Sequence, residues 1–222
     1  MIEIDLHLTF STPPNIGSGA QVNTFADRAF IKDRDGWPYI PATTLKGQLR
    51  HAAEKVARGL NIGHTVCVTH QDMCRDETIC AVCNIFGSPW LPGRLRFVDL
   101  ALTEPDVGQR ERKKRSISPH RLSQQRYGVA ISRRRKVAED AHLYTTELFL
   151  PGVPLLFSGT LSGDIASQDA ALVVAAANLL PALGRSKSTG LGHLTAATTT
   201  RIDGQETTAT TLHSLLNDEV PS

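Results

Sequence analysis

Residues 2–10 read IEIDLHLTF, with Ile2, Ile4, Leu6, Leu8 and Phe10 alternating against Glu3, Asp5, His7 and Thr9. A strict period of two places five apolar side chains on one face and four polar ones on the other, so a half-buried β-strand is expected at the start of the chain. Residues 11–41 hold Pro13, Pro14, Gly17, Gly19, Gly36, Pro38 and Pro41, and read as a long loop of a length usually reserved for function. Thr43 or Thr44 can cap a helix to about Leu60, with Leu45, Leu49, Ala52, Ala53 and Val56 as its buried stripe. Arg94 to Ala101 reads as a strand with Leu95, Phe97 and Asp99 on one face. Leu143–Leu150 and Val153–Leu161 read as strands around the turn Pro151-Gly152. A helix from about Gln168 to Leu183, capped by Ser167, precedes a glycine loop at 184–192 and a last strand ending at Ile202. The order strand, helix, strand, strand, helix, strand is that of an α+β, ferredoxin-like antiparallel sheet with two helices. No repeat or linker breaks it, so residues 1–222 are read as one domain carrying insertions at 61–93 and 105–142.

The chain has 222 residues, 41% apolar and 5% aromatic, enough for one full core. No apolar run nears the roughly 20 residues that span a bilayer, and the acidic start is unlike a signal peptide, so a cytoplasmic protein with no membrane partner is expected. The net charge of +2 hides an asymmetry: eleven of the 24 Lys and Arg, and one of the 22 acids, lie between Arg110 and Lys136. A solvated face would explain such a run, but its concentration favours a polyanion.

All four cysteines fall within seventeen residues, as Cys67, Cys74, Cys80 and Cys83. The closing C-x2-C spacing suits a structural zinc, which would hold an insertion too small to build its own core. His64 or His70 could replace one thiolate, and four unliganded thiols are the alternative. The glycine loop, GRSKSTGLG, lacks the lysine of a Walker A loop, yet Gly190 and Gly192 free its backbone N–H groups beside Arg185 and Lys187. It would suit a phosphate, or simply make a tight turn. Lys46 and Arg50, one turn apart at a helix start, could extend an anion site. Asp27 could hold Mg²⁺ or move a proton beside bound RNA. Asp33 and Asp35 suit a turn before Gly36.

Four stretches in order carry a family likeness: WPYIPATTLKGQLR (37–50), CNIFGSPWLPGRLRFVDL (83–100), ISRRRKVAEDAHLYTTELFLPG (131–152) and GRSKSTGLGHL (184–194). Together they resemble the RAMP superfamily, the repeat-associated mysterious proteins of CRISPR systems, and most closely the backbone subunit of type III (Csm/Cmr-type) effector complexes. The resemblance implies an RRM-related fold that polymerises along a guide RNA with further copies of itself and with large and small effector subunits. It implies that Lys46 and Arg50 touch guide phosphates and that the glycine loop packs against the same strand. It implies a thumb within 105–142 that pries apart guide and target RNA, with backbone contacts from residues 110–115 and from Arg133, Arg134, Arg135 and Lys136. Asp27 stands where cleaving members place a metal-dependent catalytic aspartate, so metal-dependent cutting of complementary single-stranded target RNA is expected, with a non-catalytic scaffold as the alternative. A guide-processing nuclease using His120 or His142 is a further rival. Ala42 and Ser132 depart from the family pattern, and only some members carry a four-cysteine insertion.

Overall fold

The computed structural model describes residues 1–17, 26–60, 66–67, 73–75, 79–103, 123–149, 154–208, 211–212 and 214. Strand β1, Ile2–Phe10, matches the expected alternation residue for residue: Ile2, Ile4, Leu6, Leu8 and Phe10 are each at most 2% exposed. It lies in the middle of a sheet because both of its edges are paired, with β7 (Leu155–Gly163) on one side and β8 (Leu194–Ile202) on the other. Outside β7 run β4 (Leu100–Thr103) and then β2 (Tyr39–Ile40), and outside β8 runs β9 (Gln205–Thr207). Every pairing is antiparallel.

Helix α1, Ala42–Leu60, buries the expected stripe and adds Ala57. Helix α3, Ser167–Asn178, runs as Ala, Val and Leu from Ala170 to Ala177, and all of that stretch but Ala175 is buried. Both helices share one core cluster with the inward residues of β1, β7 and β8, so they cover the same face of the sheet. The other face carries Glu3 and Asp5, both paired with Arg201. α3 ends five residues short of the expected Leu183. Pro181 has no N–H to continue the ladder, and the residue before a proline is pushed out of the helical region.

The expected strand 94–101 is broken. Leu95–Arg96 forms a short β3 paired with Gly163 and Ser162, and β4 pairs Ala101 with Ser158. The register slips by one residue between them, as a bulge requires, and this puts Leu95 and Leu100 both in the core. The irregular stretch also aims Asp99 at the start of α1, where its Oδ1 accepts the Ala42 N–H at 2.7 Å. The cap therefore comes from Asp99, not from Thr43 or Thr44.

The described part of the segment read as a loose arm, 123–142, belongs to a β-hairpin. β5, Ser123–Ile131, pairs with β6, Ala138–Phe149, with an irregularity between Val129 and Ile131. β6 thus starts before the expected Leu143 and pairs with β5. Residues 150–153, the expected turn, and 104–122, the first half of the basic insertion, lie outside the described residues.

Candidate functional site

Three groups of expected residues occupy three places. The first is the root of the hairpin. Residues 26–30 run beside the free edge of β6: the Arg28 N–H donates to the Thr145 carbonyl, and the Glu147 N–H to the Arg28 carbonyl, both at 3.0 Å. This seats Asp27 against Thr145. Asp27 Oδ2 accepts the Thr145 N–H at 2.7 Å and the Thr145 hydroxyl at 3.1 Å, and Asp27 itself is exposed. Those two bonds hold its carboxyl below the usual range, so it is an anion at neutral pH and a weak base. Oδ1 has no hydrogen-bond partner among the described residues. Arg28 beside it lies over the Tyr144 ring at 4.1 Å.

Glu147 anchors this seat. It is buried, paired with Lys32, and accepts the Phe30 N–H at 3.0 Å. Burial alone would raise its pKa, but the bonds from Lys32, Ser123 and Phe30 outweigh that and hold it below the usual carboxylate value. Asn15, fully buried, donates from Nδ2 to the carbonyls of Arg28 at 3.1 Å and Glu147 at 2.9 Å. The stretch that carries the family likeness contains Glu147, but no role for Glu147 or Asn15 follows from it. A lone acid inside an apolar strand was the one available signal. Asp33 is a turn residue: its Oδ1 accepts the N–H groups of Asp35 at 3.0 Å and Trp37 at 2.8 Å.

The hairpin's far end is a turn from Ser132 to Val137, closed by the Ser132 N–H to the Val137 carbonyl at 2.9 Å. Arg133, Arg134, Arg135 and Lys136 project from it, all exposed, with Lys136 in the left-handed region at φ 56°.

The glycine loop is the second place. A Cβ on Gly192 would stand 2.1 Å from the Leu183 carbonyl oxygen, and Gly192 has φ 72°, so only glycine fits there. The Arg185 N–H donates to the Asn15 carbonyl at 2.8 Å and the Gly192 N–H to that of Pro13 at 3.1 Å, which ties the loop to the same Asn15 that steadies Asp27. Arg185, Lys187 and Gly190 are exposed, and Lys187 Nζ reaches Gln48 Oε1 on α1 at 3.5 Å. Helical spacing sets Lys46 and Arg50 on the opposite flank of the buried stripe from Gln48. Lys46 lies 5.9 Å from the Phe97 ring. The Arg50 guanidinium faces inward, bonding Glu54 at 3.1 Å, the Gly87 carbonyl at 2.5 Å and Cys83 Sγ at 3.5 Å.

The third place is the cysteine set. The sulfurs of Cys67, Cys74, Cys80 and Cys83 all lie within 4.8 Å of one another, and Cys67 stands 3.4, 3.9 and 3.9 Å from the other three. A tetrahedron of thiolates at 2.3 Å from one ion has edges of about 3.8 Å, so the donor set fits a metal such as zinc. Helix α2, Ala81–Phe86, carries Cys83 and is capped by Cys80, whose sulfur accepts the Cys83 N–H at 3.4 Å. Burial pushes the Cys67 thiol up to about 12 and raises Cys80. Burial would raise Cys74 too, but the Cys80 N–H and neighbouring thiols that bond its sulfur bring it below the usual value. His64, His70, His120 and the basic run 110–115 lie outside the described residues. The exposed His142 bonds its own strand, Nδ1 to the Asp140 carbonyl at 2.8 Å.

The family model of the RAMP superfamily matches residues 7–195. The chain belongs to the RAMP superfamily. Membership carries a CRISPR-associated, RNA-binding function. A search of curated proteins returned no match. For a RAMP protein, the exposed cations of the hairpin tip are suited to a phosphate backbone. No helix among the described residues is long and apolar enough to cross a membrane.

Proposed function

We propose that the chain is a backbone subunit of a type III (Csm/Cmr-type) CRISPR effector complex, binding guide RNA along its length and cutting complementary target RNA at Asp27. The observation that carries this reading is the seat of Asp27: an ionised, exposed carboxylate fixed at the root of a hairpin whose tip presents four consecutive cations. The strand order β4-β7-β1-β8, with two helices over one face, supports a ferredoxin-like, RRM-related domain with the cysteine unit and the hairpin as insertions. The open sheet face carries Glu3 and Asp5, so the RNA backbone is assigned to the hairpin tip, to Arg185 and Lys187 beside Gly190 and Gly192, and to Lys46. Arg50 is spent on Glu54, Gly87 and Cys83, and supports that surface from within.

Mg²⁺ fits Asp27 through Oδ1, which has no hydrogen-bond partner among the described residues, because this ion is commonly held by one or two carboxylates together with substrate phosphate oxygens. When bound it would supply charge stabilisation at the phosphate being cut. Asp27's part is to hold negative charge at a fixed point, since its lowered pKa makes it a poor proton acceptor. The four thiolates would hold a structural zinc. Partners on this reading are guide RNA, target single-stranded RNA, further copies of the chain, and large and small effector subunits in the cytoplasm. In a second reading Asp27 only pins the loop to β6, as its two bonds to Thr145 would suffice to do, and the chain binds RNA without cutting it.

The RNA-binding part is tested by fluorescence anisotropy of a single-stranded RNA over a range of salt. Replacing Arg133, Arg134, Arg135 and Lys136 together by Ala should flatten the slope of log K against log salt by about 3, near 0.7 for each lost phosphate contact. An unchanged slope would remove the hairpin tip from the RNA interface.

A further inference from the structure

One ridge of α1 is built against the cysteine unit. Arg50, Glu54 and Arg58 recur at four-residue spacing and so stand in one line along the helix. Glu54 bonds Arg50 at 3.1 Å and approaches Arg58 at 3.9 Å. At one end of the ridge Arg58 donates to the Cys67 carbonyl at 3.0 Å. At the other end Arg50 makes two contacts with α2: the Gly87 carbonyl, at the C-terminal end of that helix, and the sulfur of Cys83. The Arg50 side chain is 18% exposed, so water screens this contact only weakly.

We infer that Arg50 offsets part of the charge of the metal-loaded cysteine centre, donating to the Cys83 thiolate from outside the coordination sphere. Four thiolates around a divalent ion carry a net charge of about −2, which is costly to hold in a half-buried site. A fixed guanidinium N–H on one sulfur spreads part of that charge and stabilises the thiolate form. Groups that bond metal ligands in this way change metal affinity by about 10–100-fold. Arg50 is also a residue of the helix that carries Lys46, so the same contact fixes α1 relative to the metal unit. The inference rests on the cysteines holding a metal, and does not depend on RNA binding or cleavage.

The full chain is titrated with Zn²⁺ against a chromophoric chelator of known affinity, as wild type, Arg50→Gln, Arg50→Lys and Arg58→Gln. Arg50→Gln is expected to bind zinc at least tenfold more weakly, Arg50→Lys to fall between it and wild type, and Arg58→Gln, which loses the Cys67 carbonyl contact and the approach to Glu54 rather than a bond to sulfur, to stay within about threefold. Co²⁺ substitution separates charge balance from mere support. Loss of a hydrogen bond to sulfur should move the thiolate-to-cobalt charge-transfer band to lower energy in Arg50→Gln, and leave it in place in Arg58→Gln. If Arg50→Gln does not fold, the shift in Arg50→Lys carries the comparison. Equal zinc affinity and an unmoved band in both Arg50 variants would overturn the inference. A wild-type chain that binds no zinc would remove the metal itself.

Discussion

Asp27→Ala is expected to slow cutting of guide-complementary RNA by about 10²–10⁴-fold while RNA affinity stays within about threefold of wild type. The expectation follows from where the charge sits. Oδ2 is committed to the N–H and hydroxyl of Thr145, which orients the carboxylate and keeps it ionised, and Oδ1 has no hydrogen-bond partner among the described residues. An alanine removes that charge from a site where, among the described residues, no second carboxylate bonds Thr145. Asp27→Asn sharpens the comparison, because an amide oxygen still accepts both bonds from Thr145 but carries no charge. Both variants should be inactive in gel assays with Mg²⁺ and unchanged in RNA affinity. If Asn cuts like wild type, the negative charge is not what Asp27 contributes, and if Ala does too, the scaffold reading takes over.

Glu147→Gln should cost about 3 kcal/mol of stability near pH 7, since it removes one member of a buried ion pair and leaves Lys32 with its side chain only 15% exposed. The pH dependence has a definite sign. Glu147 is held below its unfolded value of 4.5, so its contribution is complete above that pH and disappears as pH falls through the lower folded value. The gap between wild type and Glu147→Gln in urea melts should therefore narrow progressively below about pH 4.5. A gap under about 0.5 kcal/mol at pH 7 would show that the pair contributes nothing net. The amide oxygen of Gln can still accept the Phe30 N–H, so the loss reports the ion pair with Lys32 rather than the seat of Asp27.

Much of this molecule could be read along the chain because local periodicity and spacing carry it. β1 has perfect alternation, α1 has its apolar stripe, and the cysteines lie close enough in sequence that a shared site follows from spacing. The glycine loop announced itself through residues that only glycine conformations allow, as Gly192 illustrates. What could not be read depends on partners far away in sequence. Asp99 caps a helix that begins 57 residues earlier, and Glu147 meets Lys32 across 115 residues. The bulge between Arg96 and Leu100 hid because Leu95, Phe97 and Asp99 continue a period of two through a stretch where the backbone slips by one. The hairpin hid for a different reason. Its outward positions, Tyr127, Val129, Ile131 and Leu143, stay exposed, so apolar alternation there reports no burial, and the surrounding charge reads as a flexible arm. The pull of Pro151-Gly152 as a turn then drew β6 toward the wrong partner. At α1, spacing correctly placed Lys46 and Arg50 on one side, but could not say that a cysteine unit waits there for Arg50.

The central claim, a backbone subunit laid along a guide, is tested most directly by nuclease protection of guide RNA in the assembled complex. Protection is expected to lengthen by a constant step with each added copy of the chain, at physiological salt. Protection that does not grow with copy number, or a guide that is released at that salt, would contradict it.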